Sequence, residues 1–388
     1  MRFTMKSHWQ EALAELEARK LRRQLHPLVP LSPTCALREG RECLLFCTNN
    51  YLGLTHHPRV IAAVQEAVAT FGTGSGASPL ISGYTELHQE LAERLARFKG
   101  AARALLFPSG YSANVGCLSA LAGPEDVVFV DRLGHASLLD GIRLSGAKMV
   151  RFRHNDLDHL ESLLSRHRGR RRFLVTEGVF SMDGDTAPLA EMANLARREE
   201  LIFIVDDAHG TGVLGPQGRG TLAAQGVDPE GIIIVGTLSK ALAAVGGFVA
   251  GGEDLIEFLL NRVRSFIFST SLPPPVVAAA TSALRVLEED PELLESLRAN
   301  IRRLAGGLRA LGIPAREETP IFPVVLGSEE RALKVASRLL EQGFYVPAIR
   351  PPAVPPGTAR LRVSVSALHT PEEIDSFLEA LAETLKEV

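Results

Sequence analysis

The amino-acid sequence predicts an α/β fold: a mostly parallel seven-stranded sheet with helices on both faces, a smaller C-terminal α+β domain and an N-terminal helical arm. Three observations predict it. Seven short apolar runs recur between residues 104 and 250, most of them separated by stretches of helical periodicity, and alternation of that kind buries a parallel sheet between two helical layers. The pattern changes character at Pro273-Pro274-Pro275. The chain has 388 residues, too many for one core and suited to a large and a small domain. The limits drawn from this pattern are an arm over 1–45, a large domain over 46–285 and a small domain over 286–388.

The first element is an amphipathic helix over 8–25, with Trp9, Leu13, Leu16, Leu21 and Leu25 at apolar positions. Three prolines make 26–34 an irregular connector, and the arm is expected to pack on something other than a core of its own. The seven runs lie at 104–107, 127–130, 149–152, 173–176, 201–205, 232–235 and 248–250, with helices predicted over 86–98, 112–122, 156–167 and 188–199. Beyond the triple proline a helical stretch over 276–311 leads to runs at 322–326, 344–346 and 361–365. Helices over 329–341 and 371–386 flank them.

Composition narrows the function classes. A net charge of −3 supplies no basic field for nucleic acid, and the arginines between 166 and 172 read as a solvated loop. No apolar run is long enough to span a bilayer, and the opening residues lack an apolar signal core, so a soluble cytoplasmic protein is the expectation. The four cysteines form no CxxC pair and no metal-ligand spacing, so reduced thiols and no metal site are expected.

In parallel sheets, ligand groups gather past the carboxyl ends of the strands. The run LIFIV is followed by Asp206, Asp207 and His209. An acid there is costly to bury without a partner. Such a partner is a protonated ring nitrogen, as in pyridoxal phosphate (PLP); the alternative is a carboxylate capping the next turn. The run GIIIVGTLSK ends at Lys240, where desolvation favours a Schiff-base amine. Only seven residues are lysines, and Lys6, Lys20, Lys99, Lys148, Lys334 and Lys386 read as lying on exposed helices, at termini or at loop edges. Thr237 and Ser239 offer hydroxyls to a phosphate or to neighbouring backbone. RALLF is followed by PSGYSANVG, a strand, a glycine turn and a helix start that aims the N–H groups of Gly110, Tyr111 and Ser112 at solvent or at an anion. His135 follows another run and is placed to stack on a flat ring. TEGVFSMDGD supplies Glu177, Ser181 and Asp183, of which Ser181 can serve a ring oxygen or position His209. The glycine-rich segment over 72–83 follows a helix, so the dinucleotide reading lacks its strand.

Taken together, NNYLGLTHHP, SGYTELHQELA, FPSGYSANVG, DRLGHASLLDG, TEGVFSMDGDTAPL, VDDAHGTGVLGPQGRG, GTLSKALAAVGG and FSTSLPP resemble the α-oxoamine synthases nearly end to end. These are fold-type I PLP-dependent transferases that join an amino acid to an acyl-CoA with loss of CO2. The resemblance implies pyridoxal 5′-phosphate on Lys240, Asp206 against the pyridinium nitrogen, His209 and Ser181 at the ring hydroxyl, and His135 over the ring. It also implies that Gly110, Tyr111 and Thr237 hold the phosphate side of the cofactor, joined by Ser269 and Thr270 across a homodimer with shared active sites. Arg362 would bind the amino-acid carboxylate, Arg22 would contact the acyl substrate, carried by CoA or an acyl carrier protein, and Asn50 would line the pocket. Two positions depart from the family's habit: Pro79 stands where an arginine is common, and Ala353 where one branch often has a threonine.

Overall fold

Valine, isoleucine, leucine and phenylalanine fill the seven apolar runs, and each run forms a strand of one sheet in the computed structural model, which describes residues 5–388. The strands are β1 (Arg103–Phe107), β2 (Val127–Asp131), β3 (Lys148–Phe152), β4 (Arg172–Glu177), β5 (Ile202–Asp206), β6 (Ile232–Thr237) and β7 (Gly247–Gly251). Their order is β1-β7-β6-β5-β4-β2-β3. Neighbours are parallel except β7, which runs antiparallel to both β1 and β6. Every residue of β2, β6 and β7 is buried, as expected of strands covered on both faces. The mostly parallel seven-stranded sheet read from the sequence is therefore present.

The predicted helices appear within three residues of their expected limits, at Glu86–Lys99, Gly110–Leu121, Leu157–Arg166 and Leu189–Arg198. Ser109 starts the second of these, its Oγ accepting from the Ser112 N–H at 3.1 Å, which satisfies one orphan donor of the first turn. The single helix expected over 276–311 is two, Pro274–Glu289 and Pro291–Ala310. Pro291 has no N–H to continue the ladder and drives Asp290 out of the helical region, to φ −116° and ψ 87°.

The chain divides into two compact units: Asn49–Leu297, which contains the large sheet, and the residues up to Thr48 together with Arg298–Val388. In the second unit, strands Leu28–Pro30, Cys35–Arg38 and Arg41–Leu45 pair antiparallel, and Phe344–Tyr345 adds parallel to the last of them. A three-stranded sheet of Ile321–Gly327, Ala359–Ser364 and Ala348–Ile349 stands beside helices Glu329–Glu341 and Pro371–Glu387. Phe46 anchors this unit's core, stacked on Phe377 with centroids 4.2 Å apart. The connector expected over 26–34 thus contains a strand, because Leu28–Pro30 finds a partner in Cys35–Arg38.

The N-terminal helix is shorter than its apolar pattern suggests, Met5–Ala18 instead of 8–25. The N–H groups of Leu21 and Arg22 turn back to the Leu16 carbonyl, at 2.8 and 3.2 Å, and Lys20 takes a left-handed φ of 56°; this closes the helix. Trp9, Leu13 and Leu25 stay exposed. Among the described residues no helix is long and apolar enough to cross a membrane, and all four cysteines carry free thiols.

Candidate active site

The carboxyl ends of β4, β5 and β6 bring the chemistry together. Glu177 ends β4 and sits in register with Asp206, which ends β5; both are buried. Asp206 is held from two sides: its Oδ2 accepts from Asn114 Nδ2 at 2.6 Å and its Oδ1 from the Ala208 N–H at 3.0 Å. Asn114 lies one turn into the helix Gly110–Leu121, and its Nδ2 also donates to Ser137 Oγ at 2.9 Å. Ser137 Oγ in turn lies 2.7 Å from His135 Nδ1. A short polar relay thus runs from Asp206 through Asn114 and Ser137 to His135, and it fixes the imidazole's orientation.

Electrostatics locate Lys240 in the same place. Burial pushes the His135 pKa down; Asp206 opposes that shift and Lys240 adds to it. Burial first, and then the Asp206 charge, hold Glu177 well above the usual carboxylate range against the pull of Lys240. Glu177 Oε2 accepts from the Ser181 N–H at 3.3 Å, while Oε1 has no hydrogen-bond partner among the described residues. His209, three residues past the end of β5, sets its Nδ1 2.8 Å from the Tyr51 hydroxyl.

The anion cradle is built from β1 and β6. Gly110 opens the helix after β1, and a Cβ there would stand 3.2 Å from the Thr237 Cβ. A side chain there would have to push the first turn and Thr237 apart by a few tenths of an ångström. Thr237 Oγ1 donates to the Gly246 carbonyl at 2.9 Å and lies 2.6 Å from Ser239 Oγ. Tyr111, beside Gly110, is half exposed, and its ring meets the His135 ring edge-on at 6.5 Å. A buried carboxylate, an amine, an imidazole and a helix start facing a hydroxyl suit a flat, phosphorylated heterocycle. The orphaned Glu177 Oε1 marks where a further polar atom belongs.

A second cluster braces the loop that carries Ser181. His154, beyond β3, places Nδ1 3.1 Å from both Asp131 carboxylate oxygens and Nε2 2.7 Å from Asp185 Oδ2. Burial opposes its charge, but the bonds to the two carboxylates outweigh burial and raise the pKa to about 9. A pKa raised in the folded state adds stability that is complete below the unfolded value of 6.5 and is lost as pH climbs through about 9. Denaturant midpoints between those limits are therefore expected to fall with rising pH. His154→Gln should flatten that slope; an equally steep slope in the variant would remove His154 as its source.

Five further expected site residues come from other elements. Asn50 Nδ2 donates to Thr55 Oγ1 at 2.8 Å. Ser269 and Thr270 follow the short helix Arg264–Ile267, with Thr270 exposed. Arg362 and Arg22 belong to the other unit. Arg362 sits in strand Ala359–Ser364 opposite Pro323, buried beside Cys47, whose thiol burial pushes up to about 12. Arg22 is exposed, with Nη1 3.4 Å from Glu17 Oε2. Asn114 and Tyr51 carry no role in the sequence reading, although both lie in its motifs, PSGYSANVG and NNYLGL. Lys99 corrects that reading: it is buried and paired with Asp207 at 2.6 Å, whereas its place at a helix end suggests exposure.

Comparison with known proteins agrees with this geometry. The family model for class I and II aminotransferases matches residues 41–381. A protein of Desulforudis audaxviator, provisionally named an 8-amino-7-oxononanoate synthase, is 63% identical over 99% of this chain and 100% of its own. The 8-amino-7-oxononanoate synthase of Methylococcus capsulatus is 50% identical over 96% of this chain and 97% of its own. Among solved structures, serine palmitoyltransferase from S. paucimobilis, with PLP and myriocin bound, superposes with a TM-score of 0.94 at 37% identity, covering 100% of this chain and 99% of that one. A fold-type I architecture, a family match over residues 41–381 and close relatives of one kind lead to one statement: the chain belongs to the class I and II aminotransferase family and, within it, to the α-oxoamine synthases.

Proposed function

We propose that this enzyme condenses L-alanine with a pimeloyl thioester, giving 8-amino-7-oxononanoate, CO2 and the free thiol carrier, a step of biotin biosynthesis. The cofactor is pyridoxal 5′-phosphate. The observation that carries the reading is the meeting of Lys240, Asp206 and His135 at the strand ends, beside the cradle of Gly110 and Thr237.

When bound, the cofactor supplies an electron sink for the carbanion at the amino-acid α-carbon. The rest is this chain's work. Lys240 is the amine that holds the cofactor's aldehyde carbon between turnovers and then carries the α-proton away and back. Asp206, oriented by Asn114, keeps the ring nitrogen protonated. His209, steadied by Tyr51, and Ser181 serve the ring hydroxyl, and His135 covers the ring face. Tyr111, Gly110 and Thr237 take the phosphate side. Ser269 and Thr270 reach the phosphate of a second copy in a homodimer. Arg362 grips the substrate carboxylate by two parallel bonds, which fixes orientation as well as charge. Arg22 and Asn50 contact the acyl chain and the pocket wall.

The test is a panel of alanine and glycine against pimeloyl-CoA, a pimeloyl carrier protein and acetyl-CoA, with products read by mass. Alanine with a pimeloyl donor is expected to dominate; glycine with acetyl-CoA as the better pair would overturn the assignment. Arg362→Ala should lower kcat/KM for alanine by about 10–100-fold, the worth of a charged hydrogen-bonding pair. The spectrum of bound PLP should not change. An unaltered kcat/KM would take Arg362 out of the site.

A further inference from the structure

Asp207 follows the ring-nitrogen acid directly and carries a different load. Its carboxylate is buried and collects four donors from three segments. Lys99 Nζ reaches Oδ2 at 2.6 Å and Thr211 Oγ1 reaches it at 3.2 Å, while Thr221 gives its N–H and Oγ1 to Oδ1 at 3.0 and 2.6 Å. Lys99 Nζ also donates to the Arg219 carbonyl at 2.7 Å, so its ammonium is committed and does not compete with Lys240 for an aldehyde. The side chains of Lys99 and Asp207 are 1% and 2% exposed. The backbone has been stripped bare to admit them. A Cβ on Gly210 would stand 2.1 Å from Asp207 Oδ1. One on Gly220, at φ 111°, would stand 1.8 Å from Asp207 Oδ2 and 2.6 Å from Lys99 Nζ.

Burying two charges costs several kcal/mol each before their attraction is counted, and apolar residues of equal volume often serve stability as well or better. Stability alone is therefore a weak reason for this pair. Its position suggests another. The Asp207 N–H donates to the Val235 carbonyl at 2.7 Å, which ties it to β6. Asp206 precedes it and His209 follows two residues later, so any shift of Asp207 moves both groups that face the ring.

We propose that Lys99 is a positioning residue of the cofactor site: through Asp207 it pins the corner Asp206–His209, so that ring-nitrogen acid and imidazole hold their places together. This rests on the cofactor roles given above to Asp206 and His209. Supporting groups of this kind change ligand affinity or activity when removed, without touching the ligand.

The test uses the full-length protein and four variants: Lys99→Met, Lys99→Met/Asp207→Asn, Asp206→Asn and Asp126→Asn. Asp126 is a control, a buried carboxylate paired with Arg171 at 2.7 Å just before β2, at the opposite end of the sheet. The measurements are PLP affinity, the visible circular dichroism of bound PLP, and the thermal midpoint of the apo-protein. Lys99→Met is expected to weaken PLP binding about tenfold or more and to change the visible dichroism. Asp126→Asn should lower the midpoint and leave the dichroism alone. Wild-type affinity and dichroism in Lys99→Met, or changes no larger than those of Asp126→Asn at equal loss of midpoint, would overturn the assignment. If Lys99→Met does not fold, the double variant, which leaves no uncompensated buried charge, is judged by the same criteria. Failure of both to fold beside a folded Asp126→Asn would assign Lys99 to folding instead. Should Asp206→Asn leave the dichroism untouched, the parent reading of Asp206 fails first and is told apart from a failure of Lys99 alone.

Discussion

Lys240→Ala is expected to abolish the visible absorbance of covalently held PLP and to lower turnover by at least about 10⁴-fold, the upper range for losing a group that moves a proton in the transition state. The expectation is this large because the proposed mechanism gives one amine two jobs, holding the aldehyde carbon and shuttling the α-proton. Lys240 lies three residues beyond the end of β6, within electrostatic reach of Asp206, His135 and Glu177. The only competing buried amine among the described lysines is Lys99, and it is engaged by Asp207 and the Arg219 carbonyl. Borohydride reduction followed by peptide mass mapping should find the pyridoxyl group on Lys240. A pyridoxyl label on any other lysine would sink the assignment.

Asp206→Asn is the second large effect. A protonated ring nitrogen needs a negative partner in a water-poor site, where the charge is worth far more than in bulk solvent. Asparagine keeps the shape and removes the charge. The loss expected is about 3–5 kcal/mol of transition-state stabilisation, or roughly 10²–10⁴-fold in kcat. Folding should suffer less, because an amide oxygen can still accept from Asn114 Nδ2 or the Ala208 N–H, the two donors that Asp206 uses now. PLP should still bind. A variant that turns over within tenfold of the wild type would show that the ring nitrogen does not depend on this acid.

Much of the fold was legible because its signals are local. Each of the seven strands announces itself as a short apolar run. All four helices that the sequence predicts between Glu86 and Arg198 end within one residue of expectation at their C-termini, as at Arg166 and Arg198. The strand-end positions of Asp206 and Lys240 were legible for a related reason: the apolar runs before them mark where β5 and β6 stop. The exceptions also have physical causes. The apolar pattern runs on past Ala18, but a backbone turn to the Leu16 carbonyl stops the helix. The connector's strand depends on a partner strand, and no propensity within Leu28–Pro30 reveals one.

By itself, the sequence determined the layered α/β architecture, the order of motifs at the strand ends and the chemical types available there, because periodicity and strand-end placement are written residue by residue. Only the tertiary structure decided which distant side chains meet. It joined Asn114 to Asp206, Tyr51 to His209 and His154 to two carboxylates, and it turned Lys99 inward to Asp207. Those contacts span as many as 158 positions. Their partners are set by how helices pack on the sheet, and one-dimensional spacing carries no record of that.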